Sequence, residues 1–380
     1  MEDTVAVQLN RALVIGGGFS GLSAAIMLAR AGMAVDLIEK SQNWTMDGAG
    51  ISLGSATLRA LSTLGVLDRF LADGYGGDGT DVRAPSGAPI TQFPTPRLVA
   101  PDIPGNGAIM RPTLGRILAG AMAAAGVKSR LGVTAHNLDD DGEGVNVTFS
   151  NGGRDRYDLV VGADGIHSTT RRQLFPDSPV PRFSGQGAWR AVVPRPADVV
   201  RTTVWIGAPA KVGVNPISQH EMYLFVNEAK TFSDRVPDAE LLPRLRALIE
   251  PFTDPLLKSV RSALGERSLV FYRPMDNLLV PRPWHRGRVV LIGDAVHATT
   301  PHLAAGAGIG IEDAIVLAEE LATASTLDSG LTAFEDRRWE RCRMVVENSA
   351  RLGELEAAPG TEEAFTQLQA ESMRALAQPI

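Results

Sequence analysis

Apolar positions along this chain switch between a strand period and a helix period. The run Leu13-Val14-Ile15 is short and continuous, Ser20 to Ala31 follows with helical spacing, and Val35-Asp36-Leu37-Ile38-Glu39 returns to strand. Leucines at 58, 61, 64, 67 and 71 predict a helix over Thr57 to Leu71, broken at Gly65. Residues 74–108 are rich in Gly and Pro and read as loop with short strands. Arg111-Pro112-Thr113 opens a helix to Ala125, because proline is tolerated in a first turn. Val145 to Phe149 alternates as a strand after the turn Asp139-Asp140-Asp141. Further apolar strands are Tyr157 to Val161 and Arg288 to Ile292, and Ile311 to Ala322 reads as a helix after a small, flexible run from Ala304 to Gly310. Between about 180 and 280 the alternation at Trp189–Val193, Thr202–Ile206 and Met222–Val226 predicts a sheet. From Leu331 to Ile380 the pattern is helical. Its Glu, Arg and Ala residues, with Leu and Met between them, suit helices closing over the core, an oligomer contact, or plain surface packing.

Chemistry gathers where strands end. Gly16, Gly18 and Gly21 permit a sharp turn from strand to helix, close approach of a phosphate to the backbone, and tight packing of helix on strand. Glu39 ends the next strand about 20 residues on, where a carboxylate can accept hydrogen bonds from a ribose diol. Strand, glycines, helix, strand and acid together predict a dinucleotide-binding turn. Asp164-Gly165 after Val161 is a second such loop, or an ordinary Asp-Gly turn. Gly293-Asp294 ends the third strand, and the glycines at 306, 308 and 310 precede a helix N-terminus able to face an electron-rich ring.

Composition narrows the partner. The chain has 380 residues, 44% of them hydrophobic, which is more than one typical domain needs, so two intertwined domains are expected. A net charge of -6 without a clustered basic run argues against nucleic acid and anionic membranes, leaving a small molecule. Cys342 is the only cysteine, so an intrachain disulfide and a thiolate metal cluster are excluded, and a reducing cytoplasm fits. Met1-Glu2-Asp3-Thr4 lacks the basic start of a secretory signal, and the glycine-broken stretch from Leu13 to Ala29 does not read as a membrane span.

The three strand-end runs, in this order and spacing, resemble the single-component FAD-dependent aromatic-ring monooxygenases, the family of para-hydroxybenzoate, salicylate and urate hydroxylases. The resemblance spans most of the chain. It implies an α/β fold in which a Rossmann-like FAD-binding domain of the glutathione-reductase type (1–75, 101–178 and 280–325) interleaves with an antiparallel-sheet substrate domain (76–100 and 179–279), followed by C-terminal helices (326–380). Gly16, Gly18, Gly21 and Glu39 would hold the ADP half of FAD, with Phe19, Ser20 and Lys40 beside them. Asp164 and Gly165 would lie near the pyrophosphate and bear on both FAD and NAD(P)H. Gly293 and Asp294 would meet the ribityl chain, His297 and Pro301 the flavin, and Arg111 the cofactor, with Gly50, Ala307 and Gly308 completing the set.

The implied reaction consumes NADH or NADPH and O2 and hydroxylates an electron-rich aromatic or N-heteroaromatic ring through a flavin C4a-hydroperoxide. Oxygenation of a non-aromatic enol or polyketide, or a flavin reductase or oxidase without oxygen insertion, would share the same cofactor motifs. Lys211, Tyr223 and His302, with Arg190 behind them, are the candidate active-site residues. Lys211 and Tyr223 match an arginine and a tyrosine of the urate hydroxylase, whereas His302 stands where that enzyme has an acid, which puts urate itself in doubt. His302 is a candidate base because an imidazole titrates near pH ~6.5; its alternative is a cap on the following loop. Lys211 is otherwise a solvated lysine, Tyr223 faces either the pocket or the opposite side, and Arg190 otherwise pairs with a carboxylate. His167 and His297 otherwise belong to their turns. No metal site is expected, Cys342 looks incidental, and the chain is expected to be a monomer or homodimer.

Overall fold

A computed structural model describes residues 7–44, 46, 48–207, 210–358 and 360–380, so the Met1–Thr4 start lies outside the described residues. Arg11–Ile15 sits at the centre of a six-stranded sheet, parallel to Ala34–Glu39 on one side and Leu159–Gly162 on the other. Val289–Leu291 extends it in parallel and Lys128–Leu131 closes the far side. The three inner strands Arg11–Ile15, Leu159–Gly162 and Val289–Leu291 are buried on both faces, which is why they read as continuous apolar runs rather than alternating ones. The Phe19–Arg30 and Gly306–Thr323 helices pack on the sheet and on each other, and Ser20 marks their contact: a Cβ at Gly310 would stand 2.1 Å from its Oγ.

A second, seven-stranded sheet is antiparallel apart from one parallel pair. Its long central strands are Arg182–Pro194, Ala210–Pro216 and Glu221–Ala229. One face, carrying Trp189, Val212, Val214, Leu224 and Val226, forms its own core with the Asp238–Ile249 and Pro255–Ala263 helices. Those two helices correct the reading of 180–280 as sheet alone; Leu241, Leu242, Leu245, Leu248 and Ile249 have the helical spacing that buries one stripe.

Three other boundaries differ from expectation. Tyr157 belongs to Arg154–Tyr157, in a separate three-stranded sheet, because the Asp158 carboxylate accepts from the backbone N–H of Asn10 and Arg11 and ends that strand. Asp139 and Asp140 lie in the Ala135–Asp140 strand, so the turn falls after them. The helix expected from Ile311 begins at Gly306. The glycines at 308 and 310 are therefore helical, and they serve close packing: a Cβ at Gly308 would stand 2.1 Å from Thr57 Oγ1.

The Leu327–Ala357 helix, 31 residues long, crosses the molecule and is followed by Glu362–Ala377. It is joined to the first sheet by buried ions. Asp313 Oδ2 accepts from the Gly293 N–H at 2.8 Å and lies 2.6 Å from His297 Nε2, while Arg338 Nε donates to Oδ1 at 2.8 Å. Glu312 pairs with Arg338 and Arg341. Cys342, expected to be incidental, is fully buried with its Sγ 3.7 Å from Asp313 Oδ1. Among the described residues no helix is long and apolar enough to cross a membrane.

Asp313 and Arg338 have no solvent exposure, so removing one partner strands the other charge. Asp313→Ala is expected to lower unfolding free energy by about 3–5 kcal/mol in denaturant titration. The His297 and Arg338 charges hold the Asp313 carboxyl well below the usual carboxylate range, against the opposing effect of burial. A depressed folded pKa stabilises the fold above the unfolded value and loses that contribution as pH falls, so wild-type stability should decline below about pH 4. The Asp313→Ala variant should show a shallower acid decline over the same range.

Candidate active site

Between the two sheets lies a cavity of about 1840 Å³. Its geometry begins with strand alternation. Arg190, Lys211, Asn215, Tyr223, Phe225 and Asn227 line it, while the residues between them face the second core. Tyr223 is thereby turned into the cavity. Its ring lies where a Cβ at Gly50 would be, only 2.4 Å from Tyr223 Cδ1, so Gly50 is needed for the two strands to approach. The Tyr223 hydroxyl lies 2.9 Å from Ser52 Oγ, which accepts from Asn215 Nδ2 at 2.8 Å. Burial raises the phenol pKa, opposed by Arg190, the Ser52 bond and Arg111.

Two guanidinium groups stand near this tyrosine. Arg111 begins its helix, its N–H bonded to the Ala49 carbonyl and its guanidinium 5.0 Å from the Phe19 ring centroid. Burial first, and then the neighbouring Arg190 charge, lower its pKa. Arg190 has no hydrogen-bond or carboxylate partner among the described residues, so its expected alternative of a paired carboxylate is not what the fold supplies. Asp294 opens to the cavity although protein surrounds it, and that burial raises its carboxyl, opposed by His297 and Arg111.

The glycine turn supplies the cavity's other end. Gly16 has a φ of 109°, and a Cβ there would meet the Ala163 carbonyl at 2.4 Å; one at Gly21 would meet the Gly16 carbonyl at 1.9 Å. Gly18 is different. It lines the cavity with Phe19 and Ser20, and nothing lies within 4 Å of where its Cβ would stand. The helix it opens has no side-chain cap and no acidic residue in its first turn, so its leading N–H groups face open space. Glu39 is tied to that turn, accepting from the Gly17 N–H at 2.7 Å and the Ser41 N–H at 2.8 Å. Gly50, Gly165, Pro301 and Ala307 also line the cavity.

Several expected residues are set back. Lys40 is exposed on the surface, and Gly293 and Gly308 pack against Ser20 and Thr57. The Asp164 carboxylate is engaged by Ser168, Thr169 and Thr170 at the start of the Thr169–Leu174 helix, while Gly165 beside it faces the cavity. His297 points to Asp313.

His302 stands behind the cavity wall rather than on it. Its imidazole has no exposed surface; only its backbone reaches the cavity. Nδ1 lies 2.9 Å from Thr300 Oγ1, Nε2 has no hydrogen-bond partner among the described residues, and burial with the Lys211 charge pushes the pKa down to about 4. Lys211, otherwise read as solvated, is largely covered and donates to Glu356 Oε2. Glu356, Ser52, Asn215 and Asn227 were not singled out from the sequence. Period-two counting from Lys211 and Tyr223 reaches both asparagines; Ser52 and Glu356 had no such signal.

A family model described as an FAD binding domain matches residues 10–349. The chain is 32% identical over 352 residues to the 2-heptyl-3-hydroxy-4(1H)-quinolone synthase of Pseudomonas aeruginosa, covering 91% of this chain and 90% of that one. It is likewise 32% identical over 352 residues to the aurachin C monooxygenase/isomerase of Stigmatella aurantiaca, covering 90% and 88%. The crystal structure of Klebsiella pneumoniae HpxO complexed with FAD and uric acid has the same fold, with a TM-score of 0.84 at 24% identity over 97% of this chain and 96% of that one. A glycine turn open to a deep cavity, a match over most of the length and these relatives converge on one conclusion: the chain belongs to the FAD-dependent monooxygenases, flavoproteins of the aromatic-hydroxylase type.

Proposed function

We propose that the protein uses NADH or NADPH and O2 to hydroxylate an electron-rich aromatic or N-heteroaromatic ring. The observation that carries this reading is Arg190, an unpaired guanidinium on the cavity wall beside Tyr223. Arg190 is half-buried and without a partner among the described residues, so an anionic or strongly polarised ring oxygen would gain a charge-assisted hydrogen bond there. One relative named above is by its name a synthase of a 3-hydroxy-4(1H)-quinolone, and the HpxO structure holds uric acid, both flat rings bearing such an oxygen.

The residues present fit FAD. The free N–H groups after Gly18 suit its pyrophosphate, the Glu39 carboxylate retains lone pairs for a ribose diol, and Arg111 and Asp294 lie on the wall beyond. Bound there, FAD would carry two electrons from the nicotinamide to O2, one oxygen atom of which goes to the ring and the other to water. The chain's own side chains hold and orient. Arg190 would favour the anionic form of the substrate oxygen, whose lone pairs enrich the ring, Tyr223 is fixed by Ser52 and Asn215 at the cavity wall, and the Phe225 ring, lying over Gly213, gives a flat surface.

The direct test is reductant consumption by the FAD-loaded protein with a panel of hydroxybenzoates, hydroxypyridines, quinolones and purines, with peroxide and product mass recorded. One ring class should accelerate oxidation with little peroxide and yield a product heavier by one oxygen; no acceleration by any ring sinks the reading. Arg190→Gln should leave FAD content unchanged and lower kcat/KM about 10–100-fold, the worth of a hydrogen bond to a charged group. Gly18→Ala should leave the unfolding midpoint of the FAD-free protein unchanged, because the new methyl meets nothing, yet weaken FAD retention through dialysis. Full retention would count against the Gly18 cradle.

A further inference from the structure

The end of the Leu327–Ala357 helix enters the cavity opposite Arg190. Glu356 is its charged contribution: Lys211 Nζ donates to Oε2, Asn227 Nδ2 lies 3.4 Å from Oε1, and His302 Nε2 lies 3.7 Å from Oε2. The carboxylate and the ammonium both line the cavity, with side chains 9% and 13% exposed, whereas the imidazole behind them is fully covered. The helix is shaped around that imidazole. Gly353 lies one turn before Glu356, and a Cβ there would stand 2.9 Å from His302 Cε1 and 3.2 Å from Nε2. Glycine within a helix costs about 1 kcal/mol relative to alanine, so the slot is kept against local preference.

Register sets the span. Arg190 pairs with Phe225 and Lys211 with Asn227, one strand further out and two residues along. With strands about 4.8 Å apart and about 3.3 Å per residue, the Arg190 and Lys211 backbones lie about 12 Å apart, and their side chains reach into one space. One end therefore offers an unpaired cation. The other offers a carboxylate whose lone pairs are not exhausted by Lys211 and Asn227.

We propose that Glu356 is a substrate-contacting residue that accepts a hydrogen bond from a ring N–H or O–H at the edge opposite the oxygen held by Arg190. This rests on the ring-hydroxylase reading and narrows it: the substrate carries an acceptor oxygen at one edge and a donor at the other, as a vinylogous amide or hydroxy-heterocycle does. Lys211 holds the carboxylate at the cavity wall. His302 is a positioning residue that fills the slot at Gly353 and stops the carboxylate turning away. The charged groups facing the site from the other packed elements are Lys211 on the sheet and Glu362 on the following helix, both on the cavity wall.

The test pairs 4-quinolone with N-methyl-4-quinolone, identical except for the donor, in calorimetric titrations of the FAD-loaded wild type, Glu356→Gln, Glu356→Asp and His302→Asn. Wild type should bind the N–H compound about 10–100-fold more tightly. Glu356→Gln should abolish most of that preference with FAD content and affinity for the N-methyl compound unchanged, and Glu356→Asp should restore part of it. His302→Asn should reduce the preference about threefold while leaving N-methyl binding alone, a selective effect that a purely structural role would not give. Equal binding of the two compounds by wild type, a preference retained in Glu356→Gln, or no binding of either overturns the proposal. Selective binding without reductant consumption would instead overturn the hydroxylase reading and leave the Glu356 contact standing.

Discussion

The arrangement depends on one buried carboxylate. Asp313 receives a backbone N–H from Gly293, a ring nitrogen of His297 and the Nε of Arg338, and each belongs to a different part of the site. Gly293 turns the chain at the end of the Val289–Leu291 strand, and its φ of 61° places Asp294 at the cavity wall. His297 ends the short helix that leads to Pro301 and His302. Arg338 carries the long C-terminal helix. A carboxylate in this environment must be fully satisfied to remain charged, so its partners are held in one geometry.

Charge is then distributed across the cavity in a way that hydrophobic packing alone would not produce. The seven-stranded sheet presents apolar residues to its helices, and to the cavity a mixed face that includes Arg190, Asn215, Tyr223 and Lys211. A sheet buried on both sides is ordinarily apolar on both. Here Ser52, Asn215 and Tyr223 bond to one another while Arg190 has no partner among the described residues. The site is rigid where it orients and electrostatically open where it binds.

The first strand, its glycine turn and the helix after it were legible because their constraints are local: a Gly16 at φ 109° and a Gly21 pressed on a carbonyl follow from a strand turning directly into a helix. The sheet strands were legible from their period of two, which also tied Tyr223 to one face without saying which. What was not legible came from contacts distant in sequence. Gly308 and Gly310 looked like a flexible loop because composition cannot tell a glycine that frees the backbone from one that lets Thr57 or Ser20 close in. His302 followed a proline near the cofactor and so suggested a base, but its side-chain direction is fixed by Gly353, about fifty positions later. Glu356 meets Lys211 across 145 positions, and in sequence it is one acid among many in a charged helix.

That helix couples the two ends of the molecule's chemistry. Arg338 and Glu356 lie on it about 27 Å apart, at about 1.5 Å per residue, the first locked to Asp313 beneath the Gly293 turn and the second paired with Lys211 on the sheet. A helix of this length changes its pitch little, so fixing Arg338 limits where Glu356 can stand. The Lys211 pair then sets the distance between the first sheet and the second. The rod thus carries one fully buried ion pair and one at the cavity surface. The buried pair resists displacement because separation would leave bare charges in the interior. The surface pair, partly open to the cavity, is the one that an entering ligand can engage without unfolding anything.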